Sequence, residues 1–370
     1  MKKVTLKQIS EMAGVSTTTV HRALNGKGGC SRDVEEFILK IARENGYSTN
    51  MAASSLRKRP LQIAFIFPFR DNGARFGLDQ MLDGYLEYRR EFKDYNIVFQ
   101  EFLLRSSDEK LENYLDMEYP ELEHVLQQIC LDQPVHYDGL IIYGMSVTRK
   151  AEALLNRIIG RGTKVILLER VVPSMEDTCT VKAHMELSGN IAAEIVCGGI
   201  PDSGTVAVVS QVVPGGDPAA DAFMEYLRRE QPGIKTVRLP LVMNVDQGET
   251  IASFLQQQED LVGLYITTGR HTKSTLDALK LIDTKEITCV GSVLFAESYK
   301  ALKDRILTAV LDNRSEKIGY MALHLLLAEL IKNEPAPALY LVPPRIILRS
   351  NCDAYYVKRE YQHESEQYCD

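Results

Sequence analysis

Apolar residues near the start of the chain recur at helical spacing in two short runs, Leu6, Ile9 and Ala13, then Val20 and Leu24. Gly14 lies between the runs, where it can take the left-handed conformation that ends a helix. Ser16 can then cap the second helix. The pattern predicts two short helices joined by a glycine turn, which is a helix-turn-helix.

The outer face of the second predicted helix carries short hydroxyls, a histidine and an arginine, namely Thr17, Thr18, His21 and Arg22. Such a face suits the major groove of DNA, because arginine can bond guanine bidentately and threonine offers both a hydroxyl and a methyl group. A small helical cap that touches no DNA is the alternative interpretation of the same pattern.

A third helix and a basic segment follow. Ser31 can cap a helix whose inward residues include Val34, Ile38 and Ile41, and Asn45 with Gly46 can end it. The next segment, residues 50–59, reads Asn-Met-Ala-Ala-Ser-Ser-Leu-Arg-Lys-Arg.

Beyond residue 60, strand-like runs alternate with amphipathic helices. The predicted strands are Ile63 to Phe67, Ile97 to Phe102, Gly139 to Tyr143, Val165 to Leu168, Val206 to Ser210, Thr236 to Leu239, Gly263 to Thr267 and Thr288 to Gly291. The predicted helices are Leu78 to Glu91, Leu122 to Cys130, Lys150 to Arg161, Glu186 to Cys197, Ala219 to Glu230, Gln247 to Gln257, Lys273 to Ile282 and Glu316 to Lys332. Apolar strands alternating with helices predict parallel sheets covered on both faces.

Length and charge divide the chain. A chain of 370 residues is too long for one ordinary core. Residues 1–60 contain 11 Lys and Arg against 5 Asp and Glu, whereas the rest contains 32 against 45, so a basic head precedes an acidic body. The seven cysteines show neither zinc spacing nor a disulfide framework. No metal or cofactor is predicted.

These segments together resemble the lac repressor (LacI) family of bacterial transcription regulators. The resemblance rests on the Val-Thr-Leu start, the Ala-Gly-Val-Ser turn, a recognition helix that ends Arg-x-x-Asn, and an Asn-x-x-Ala-x-x-Leu hinge. It implies an α/β fold with a small all-α helix-turn-helix head and two doubly wound parallel-sheet lobes, similar to periplasmic binding proteins of type I. The implied domains are the head (1–49), a hinge helix (50–60), a two-lobed effector-binding and dimerisation body (61–350) and a polar C-terminal tail (351–370).

The resemblance also implies which residues contact DNA. Leu56 corresponds to a hinge leucine that enters the minor groove and unstacks a base step, although a plain basic linker would show the same composition. His21 stands where the family has a small hydroxyl, so its role is open. The implied DNA-binding residues are Thr5, Ser16, Thr17, Thr18, Thr19, His21, Arg22, Asn25, Asn50, Ala53, Leu56 and Arg57.

In the family, an effector binds between the lobes at the carboxyl ends of both sheets. The corresponding candidates are Phe69, Arg70, Phe76, Asp79, Tyr143, Glu169, Arg170, Asp217, Arg270 and His271. Phe76 is alternatively a core aromatic, and Glu169 with Arg170 a hinge salt bridge. Asp217, Arg270 and His271 are equally typical of solvated loop residues. The sheets are expected to separate near residues 169–173, with the second lobe ending near Gly291. The chain then returns to the first lobe through Lys332 and finishes in the second near residues 345–348.

The second lobe departs from the family pattern at three places. Ala219 to Ala222 replaces an Arg-x-x-Gly, Thr268-Gly269 replaces an Asn-Asp pair, and Gly291-Ser292-Val293 replaces a Gly-x-Asp. Each lost charge-assisted hydrogen bond is worth about 1.5 to 3 kcal/mol. An ordinary free monosaccharide therefore fits this pattern poorly, and three arginines favour an acidic or phosphorylated sugar.

The expected protein is a cytoplasmic, ligand-responsive repressor of carbohydrate-utilisation genes that binds palindromic operator DNA as a homodimer. The effector is expected to be a sugar or a sugar derivative held mainly by the first lobe. A non-sugar effector or corepressor, an activator role and a ligandless regulator are the alternatives. No nucleotide-binding glycine motif and no Ser-His-Asp grouping is evident, so no enzyme activity is expected.

Overall fold

A computed structural model of the protein describes residues 6–24, 29–45, 59–69, 77–105, 119–131, 135–213, 215–242, 247–282 and 287–356. The chain forms two compact units. The first unit comprises residues 1–61 and 92–98, and the second comprises residues 62–91 and 99–370.

The described residues of the first unit form three helices, α1 (Leu6–Ala13), α2 (Thr17–Leu24) and α3 (Arg32–Glu44). Ile9, Val20 and Ile38 meet in its core and are fully buried. Gly14 takes a φ of 67° between α1 and α2, in the left-handed region that glycine occupies without a steric cost. The predicted helical head is therefore confirmed.

The described strands, in chain order, are β1 (Leu61–Phe69), β2 (Ile97–Arg105), β3 (Gly139–Tyr143), β4 (Lys164–Leu168), β5 (Thr178–Ala183), β6 (Gly204–Gln211), β7 (Ile234–Leu241), β8 (Leu261–Ile266), β9 (Thr288–Ser292), β10 (Ala309–Asp312), β11 (Leu339–Val342) and β12 (Arg345–Ile347). The helices between them are α4 (Leu78–Arg90), α5 (Pro120–Cys130), α6 (Arg149–Ile159), α7 (Met185–Cys197), α8 (Pro218–Glu230), α9 (Gly248–Gln256), α10 (Gly269–Ala278), α11 (Ala296–Lys303) and α12 (Ser315–Leu327).

The strands form two six-stranded sheets, and each sheet is the centre of one lobe. The order is β11-β5-β4-β3-β1-β2 in the first lobe and β12-β10-β9-β8-β6-β7 in the second. β3 pairs in parallel with β1 and β4, β8 pairs in parallel with β6 and β9, and β12 runs antiparallel to β10. These pairings confirm two doubly wound lobes built mainly on parallel strands.

Two expectations about the connections between the lobes need correction. The chain stays in the first lobe through β5 and crosses only after Ala183, so the expected separation near residues 169–173 is wrong. The second lobe continues past Gly291 into α11 and β10. β5 was missed because Thr178, Thr180 and Lys182 interrupt its apolar run in the sequence, although Thr180 is buried in the fold. β10 and β11 have only four residues each. The return of the chain to the second lobe at Arg345 to Ile347 is confirmed.

The body also extends beyond residue 350. Residues 352–356 are helical, and Cys352 is fully buried against the second-lobe core. The ring of Tyr356 stacks on Tyr299 with 4.3 Å between centroids, and Asp353 accepts a hydrogen bond from the Lys303 ammonium. The segment expected to be a polar tail therefore begins as part of the packed second lobe.

The two lobes repeat one turn. Glu169 follows β4 and Val293 follows β9, and each has a φ of 66°. Each then donates its backbone N–H to the neighbouring strand, Glu169 to Val181 O and Val293 to Leu311 O, both at 3.0 Å. A left-handed backbone is unfavourable for any residue with a Cβ and most of all for a β-branched valine, so each lobe holds strain at the carboxyl end of its sheet.

Helices α4 and α12 pack with their backbones in contact. A Cβ on Gly319 would lie 1.8 Å from Met81 O, and one on Gly84 would lie 1.8 Å from Glu316 O. No side chain can fit at either position without separating the helices, so both glycines are required by the packing.

We therefore expect Gly319→Ala to destabilise the protein by about 1 to 3 kcal/mol, because the added methyl group overpacks this contact. Urea unfolding followed by circular dichroism measures the change. The matched control is Gly198→Ala at the exposed end of α7, where the nearest atoms to the new Cβ are 3.6 Å away. Equal stability of the two variants would contradict the packing requirement.

Candidate nucleic-acid interface and effector cleft

The N-terminus of α2 is capped by its own hydroxyls. Ser16 Oγ accepts a hydrogen bond from the backbone N–H of Thr19 at 3.1 Å and lies 2.8 Å from Thr19 Oγ1. Thr17 and Thr18 are exposed. Ser16 and Thr19 thus fix where the helix begins, while the two threonines between them remain accessible on its outer surface.

Arg22 is also exposed, one turn further along α2. Its guanidinium lies against the backbone of Gly29, where a Cβ would be only 2.9 Å from one of its terminal nitrogens. The side chain is therefore outside the head core and bends over the turn that precedes α3. The structure does not describe the side chains of the other residues predicted to contact DNA. These residues are Thr5, His21, Asn25, Asn50, Ala53, Leu56 and Arg57.

In the first lobe, two predicted effector residues are neighbours at the carboxyl edge of the sheet. Tyr143 ends β3 and pairs with Leu168, so Glu169 comes one residue beyond the partner of Tyr143. Gly144 makes this closeness possible, because a Cβ there would lie 2.9 Å from Leu168 O and 2.8 Å from Arg170 O. The Tyr143 ring meets Phe67 edge to face at 5.6 Å.

The carboxyl group of Glu169 is half-buried and points toward the next strand. Its Oε2 accepts a hydrogen bond from the Ala183 N–H at 3.3 Å. Burial raises the pKa of Glu169 to about 7, against smaller opposite effects from the Ala183 N–H and the Lys182 ammonium. No ion pair with Glu169 occurs among the described residues, and Arg170 instead donates to Val147 O at 3.2 Å. The described residues therefore contain no hinge salt bridge between Glu169 and Arg170, which was the alternative interpretation.

Asp217 has a structural role that fully occupies its carboxylate. The residue is buried and caps α8, where Oδ1 accepts from the N–H groups of Ala219 and Ala220. Oδ2 accepts from the Gln211 N–H at 3.2 Å and from Thr267 Oγ1 at 2.7 Å. Four hydrogen bonds leave little capacity for an effector, so this carboxylate joins β6, β8 and α8 instead.

His271 and Arg270 begin α10 behind the carboxyl end of β8. His271 is 1% exposed, which excludes the alternative of a solvated loop residue and leaves its side chain little accessible to an effector. Its Nε2 lies 3.5 Å from Val242 O, and its Nδ1 has no hydrogen-bond partner among the described residues. Burial lowers the pKa of His271, so the ring is neutral near pH 7. Arg270 is half-buried on the same turn.

Of the remaining candidates, Asp79 is half-buried in the first turn of α4. The Phe69 side chain, Arg70 and Phe76 lie outside the part of the chain that is described.

The sequence interpretation missed a set of buried hydroxyls at the second-lobe edge. Ser210 accepts from Arg238 Nε at 2.8 Å, and Ser292 donates to Ile266 O at 2.7 Å. With Thr267 bonded to Asp217, these hydroxyls are satisfied within the lobe. Their position after apolar strand residues was visible in the sequence, but the internal partners were not.

Comparison with protein families agrees with this geometry. Residues 5–50 match the family model described as bacterial regulatory proteins, lacI family. Residues 121–334, more than half of the chain, match the model of the periplasmic binding protein domain. The chain belongs to the periplasmic binding protein family, with a head of the lacI family.

Curated relatives with this type of head are named as operon repressors. The ribitol operon repressor of Klebsiella aerogenes is 41% identical over 76 residues, which are 20% of this chain and 28% of that protein. The sucrose operon repressor of Klebsiella pneumoniae is 41% identical over 71 residues, 18% of this chain and 21% of that protein. The match thus spans about a quarter of these relatives.

Solved structures resemble the two-lobed body in fold. A periplasmic ribose ABC transporter protein from Conexibacter woesei superposes with a TM-score of 0.67 at 15% sequence identity, over 80% of this chain and 94% of the other. The likeness at this identity establishes the fold alone. Within the described residues, no helix is long and apolar enough to span a membrane.

The half-buried Glu169 makes a testable contribution to stability. Its folded pKa of about 7 lies above the ordinary value of 4.5, so the folded protein binds the proton more tightly than the unfolded chain does. Below about pH 4.5 the carboxyl group is mainly protonated in both states, so its burial does not destabilise the protein. Its burial destabilises the protein increasingly as the pH rises toward 7, and the penalty stays constant above that.

We expect Glu169→Gln to be more stable than the wild type at pH 8, by on the order of 2 to 3 kcal/mol, and to lose that advantage near pH 4.5. Chemical denaturation at several pH values measures the difference. Glu176→Gln, at an exposed glutamate of the same lobe, serves as the control. A difference that does not change with pH would contradict the raised pKa.

Proposed function

We propose that the protein is a ligand-responsive transcription regulator that binds operator DNA as a homodimer and represses carbohydrate-utilisation genes. The observation that carries the proposal is the lacI-family head, in which Thr17, Thr18 and Arg22 are exposed on α2. The matching relatives are named as repressors rather than as enzymes. Because it reads DNA, the protein would act in the cytoplasm.

The geometry of DNA recognition supports the proposed homodimer. One helix-turn-helix reads a single half-site, and a two-fold dimer reads two half-sites about one helical turn apart. An isologous interface between two bodies would supply that symmetry. The operator is then a palindrome. We assign the hinge to residues 50–60, the head to 1–49, and dimerisation and effector binding to the body.

In this mechanism α2 lies in the major groove, with Arg22 reading a guanine and Thr17 and Thr18 contacting neighbouring bases. Ser16, Thr19, Thr5 and Asn25 contact the DNA backbone or hold the helix on it. The hinge helices, with Asn50, Ala53, Leu56 and Arg57, form on the operator and enter the minor groove. Effector binding between the lobes changes whether these hinge helices form. The effect on DNA affinity cannot exceed the effector's preference for the DNA-free state.

Selection of binding sequences from random DNA, followed by footprinting, tests this function directly. The expected result is an enriched sequence with two-fold symmetry, protected over both half-sites. Enrichment of no sequence, or of a site without symmetry, would contradict the proposal.

Arg22 tests the reading of bases. We expect Arg22→Ala to weaken operator binding by about 1 to 3 kcal/mol and to leave binding to random DNA nearly unchanged, because a bidentate contact with guanine carries sequence information. Titrations on the selected operator and on random DNA at one salt concentration measure both. Equal losses on the two DNAs would make Arg22 a phosphate contact.

Leu56 tests the hinge. If it unstacks the central base step, Leu56→Ala should reduce the operator bend and the operator affinity together. Gel phasing measures the bend. Met51→Ala is a control for loss of an apolar side chain in the same segment. Wild-type bending and affinity in Leu56→Ala would rule out the wedge and leave a plain basic linker.

A carbohydrate effector is the proposed ligand class, held mainly by the first lobe. Two observations support it, the family of the body and the operon repressors named for ribitol and sucrose. Within the described residues, the side chains best placed to contact it are Tyr143 and Glu169, with Asp79, Arg170 and Arg270 near the same edges of the sheets. Asp217 and His271 are buried below this edge, where we infer that they stabilise the loops rather than contact the ligand.

A further inference from the structure

Arg22, the residue proposed to read a base, lies beside a glycine in the turn between α2 and α3. A Cβ placed on Gly29 would be 2.9 Å from Arg22 Nη1, 3.5 Å from its Cδ and 3.7 Å from its Cζ. The outer part of the arginine side chain therefore packs along the Gly29 backbone. A Cβ less than 3.0 Å from Nη1 would force one of the two to shift, so this contact requires glycine.

The residues that follow Gly29 hold its backbone in place. Gly29 has a φ of 97°, a conformation that residues with a side chain rarely adopt. Cys30 packs against the head core, and Ser31 O accepts a hydrogen bond from the Glu35 N–H at 3.0 Å, where α3 begins. The turn is thus anchored from the core side, so the Gly29 backbone offers Arg22 a fixed surface.

Contact with Gly29 leaves the hydrogen-bond donors of Arg22 unused. Arg22 and Thr18 are one helical turn apart on α2 and both are exposed, whereas Val20 and Ala23 are buried in the head core. Among the described residues, none accepts a hydrogen bond from the Arg22 guanidinium. The contact therefore restricts the rotamers of the side chain without occupying its donors, so less conformational freedom is lost when the guanidinium binds a base.

We propose that Gly29 is a positioning residue for sequence recognition, because its bare backbone holds the Arg22 guanidinium in the orientation from which it contacts a base. A methyl group at this position would push Nη1 away from the turn, and a bidentate contact depends on the placement of both donors. Gly29 itself need not touch DNA. The inference rests on the proposed operator binding. The alternative is a glycine required only by the backbone conformation of the turn.

Selection from random DNA with the full-length protein distinguishes the two roles. The wild type, Arg22→Ala and Gly29→Ala are each selected on one library at one salt concentration. We expect Gly29→Ala to lose base preference at the same position as Arg22→Ala, once in each half-site, and to keep its preference elsewhere. A role in the turn alone would instead weaken the preference at all positions together, and that result would overturn the inference.

A double-mutant cycle then separates the arginine contact from backbone strain. On the operator selected by the wild type, Gly29→Ala should weaken binding about tenfold, within the range of a bidentate base contact, and should change binding to random DNA less than about twofold. In the Arg22→Ala background it should not weaken operator binding further, because the group that it displaces is gone. An effect of strain would persist in both backgrounds.

Gly162→Ala is the matched control for an alanine at this backbone conformation. Gly162 lies in the first lobe with a φ of 95°, and a Cβ there has nothing within 4 Å. Its replacement gives the stability cost of such an alanine in thermal unfolding and should leave operator binding unchanged. Gly29→Asn repeats the cycle with a residue that accepts a positive φ more readily, in case the alanine variant does not fold.

Three results of the titrations overturn the inference. These are wild-type operator affinity in a folded Gly29→Ala protein, a loss that persists in the Arg22→Ala background, and equal losses on operator and random DNA in either single variant. In each case the wild type still selects a symmetric operator, so the proposed regulator function stands. If the wild type selects no symmetric site, the proposed function itself has failed.

Discussion

The chain crosses between the two sheets three times, and hydrogen bonds or ion pairs tie the crossings together in pairs. His184 N–H donates to Val342 O at 2.9 Å, which joins the first crossing to the third. Ser188 Oγ donates to Asn313 Oδ1 at 3.3 Å, which joins the first to the second, and Arg345 bonds Glu316 at 3.3 Å, which joins the second to the third. Any motion of the lobes must turn about this connected strip, so the carboxyl edges of the sheets can approach while the crossings stay fixed.

The repeated turn shows that the edges of the two lobes differ in their side chains rather than in their backbone. Glu169 and Val293 adopt the same strained conformation in equivalent places, so the backbone alone does not distinguish the lobes. The side chains do. Glu169 accepts a hydrogen bond from Ala183, one residue before the first crossing. The Val293 side chain is apolar and can form no hydrogen bond of this kind.

The sequence predicted those features that depend on long periodic patterns. The head helices and the central strands β1, β3, β4, β6 and β8 were recognisable, because an apolar face or an unbroken apolar run extends over several residues. β5, whose apolar run is interrupted by polar residues, and the four-residue strands β10 and β11 carry too weak a pattern. At the site, Asp217 shows the same limit. A buried helix cap and a ligand-binding carboxylate follow a strand in the same way, and only the hydrogen bonds of the fold distinguish them.

In the proposed function, the strength of regulation is limited by how differently an effector binds two conformations of the body. A carboxylate that already accepts a neutral N–H contributes little to that difference, whereas an ion pair formed only when the lobes close around a ligand contributes to one conformation alone. Because burial raises the pKa of Glu169, any ligand that requires its ionised carboxylate would first have to displace a proton. Glu169 contacts Ala183, one residue before the first crossing, so its protonation acts on the edge of the first lobe beside that crossing.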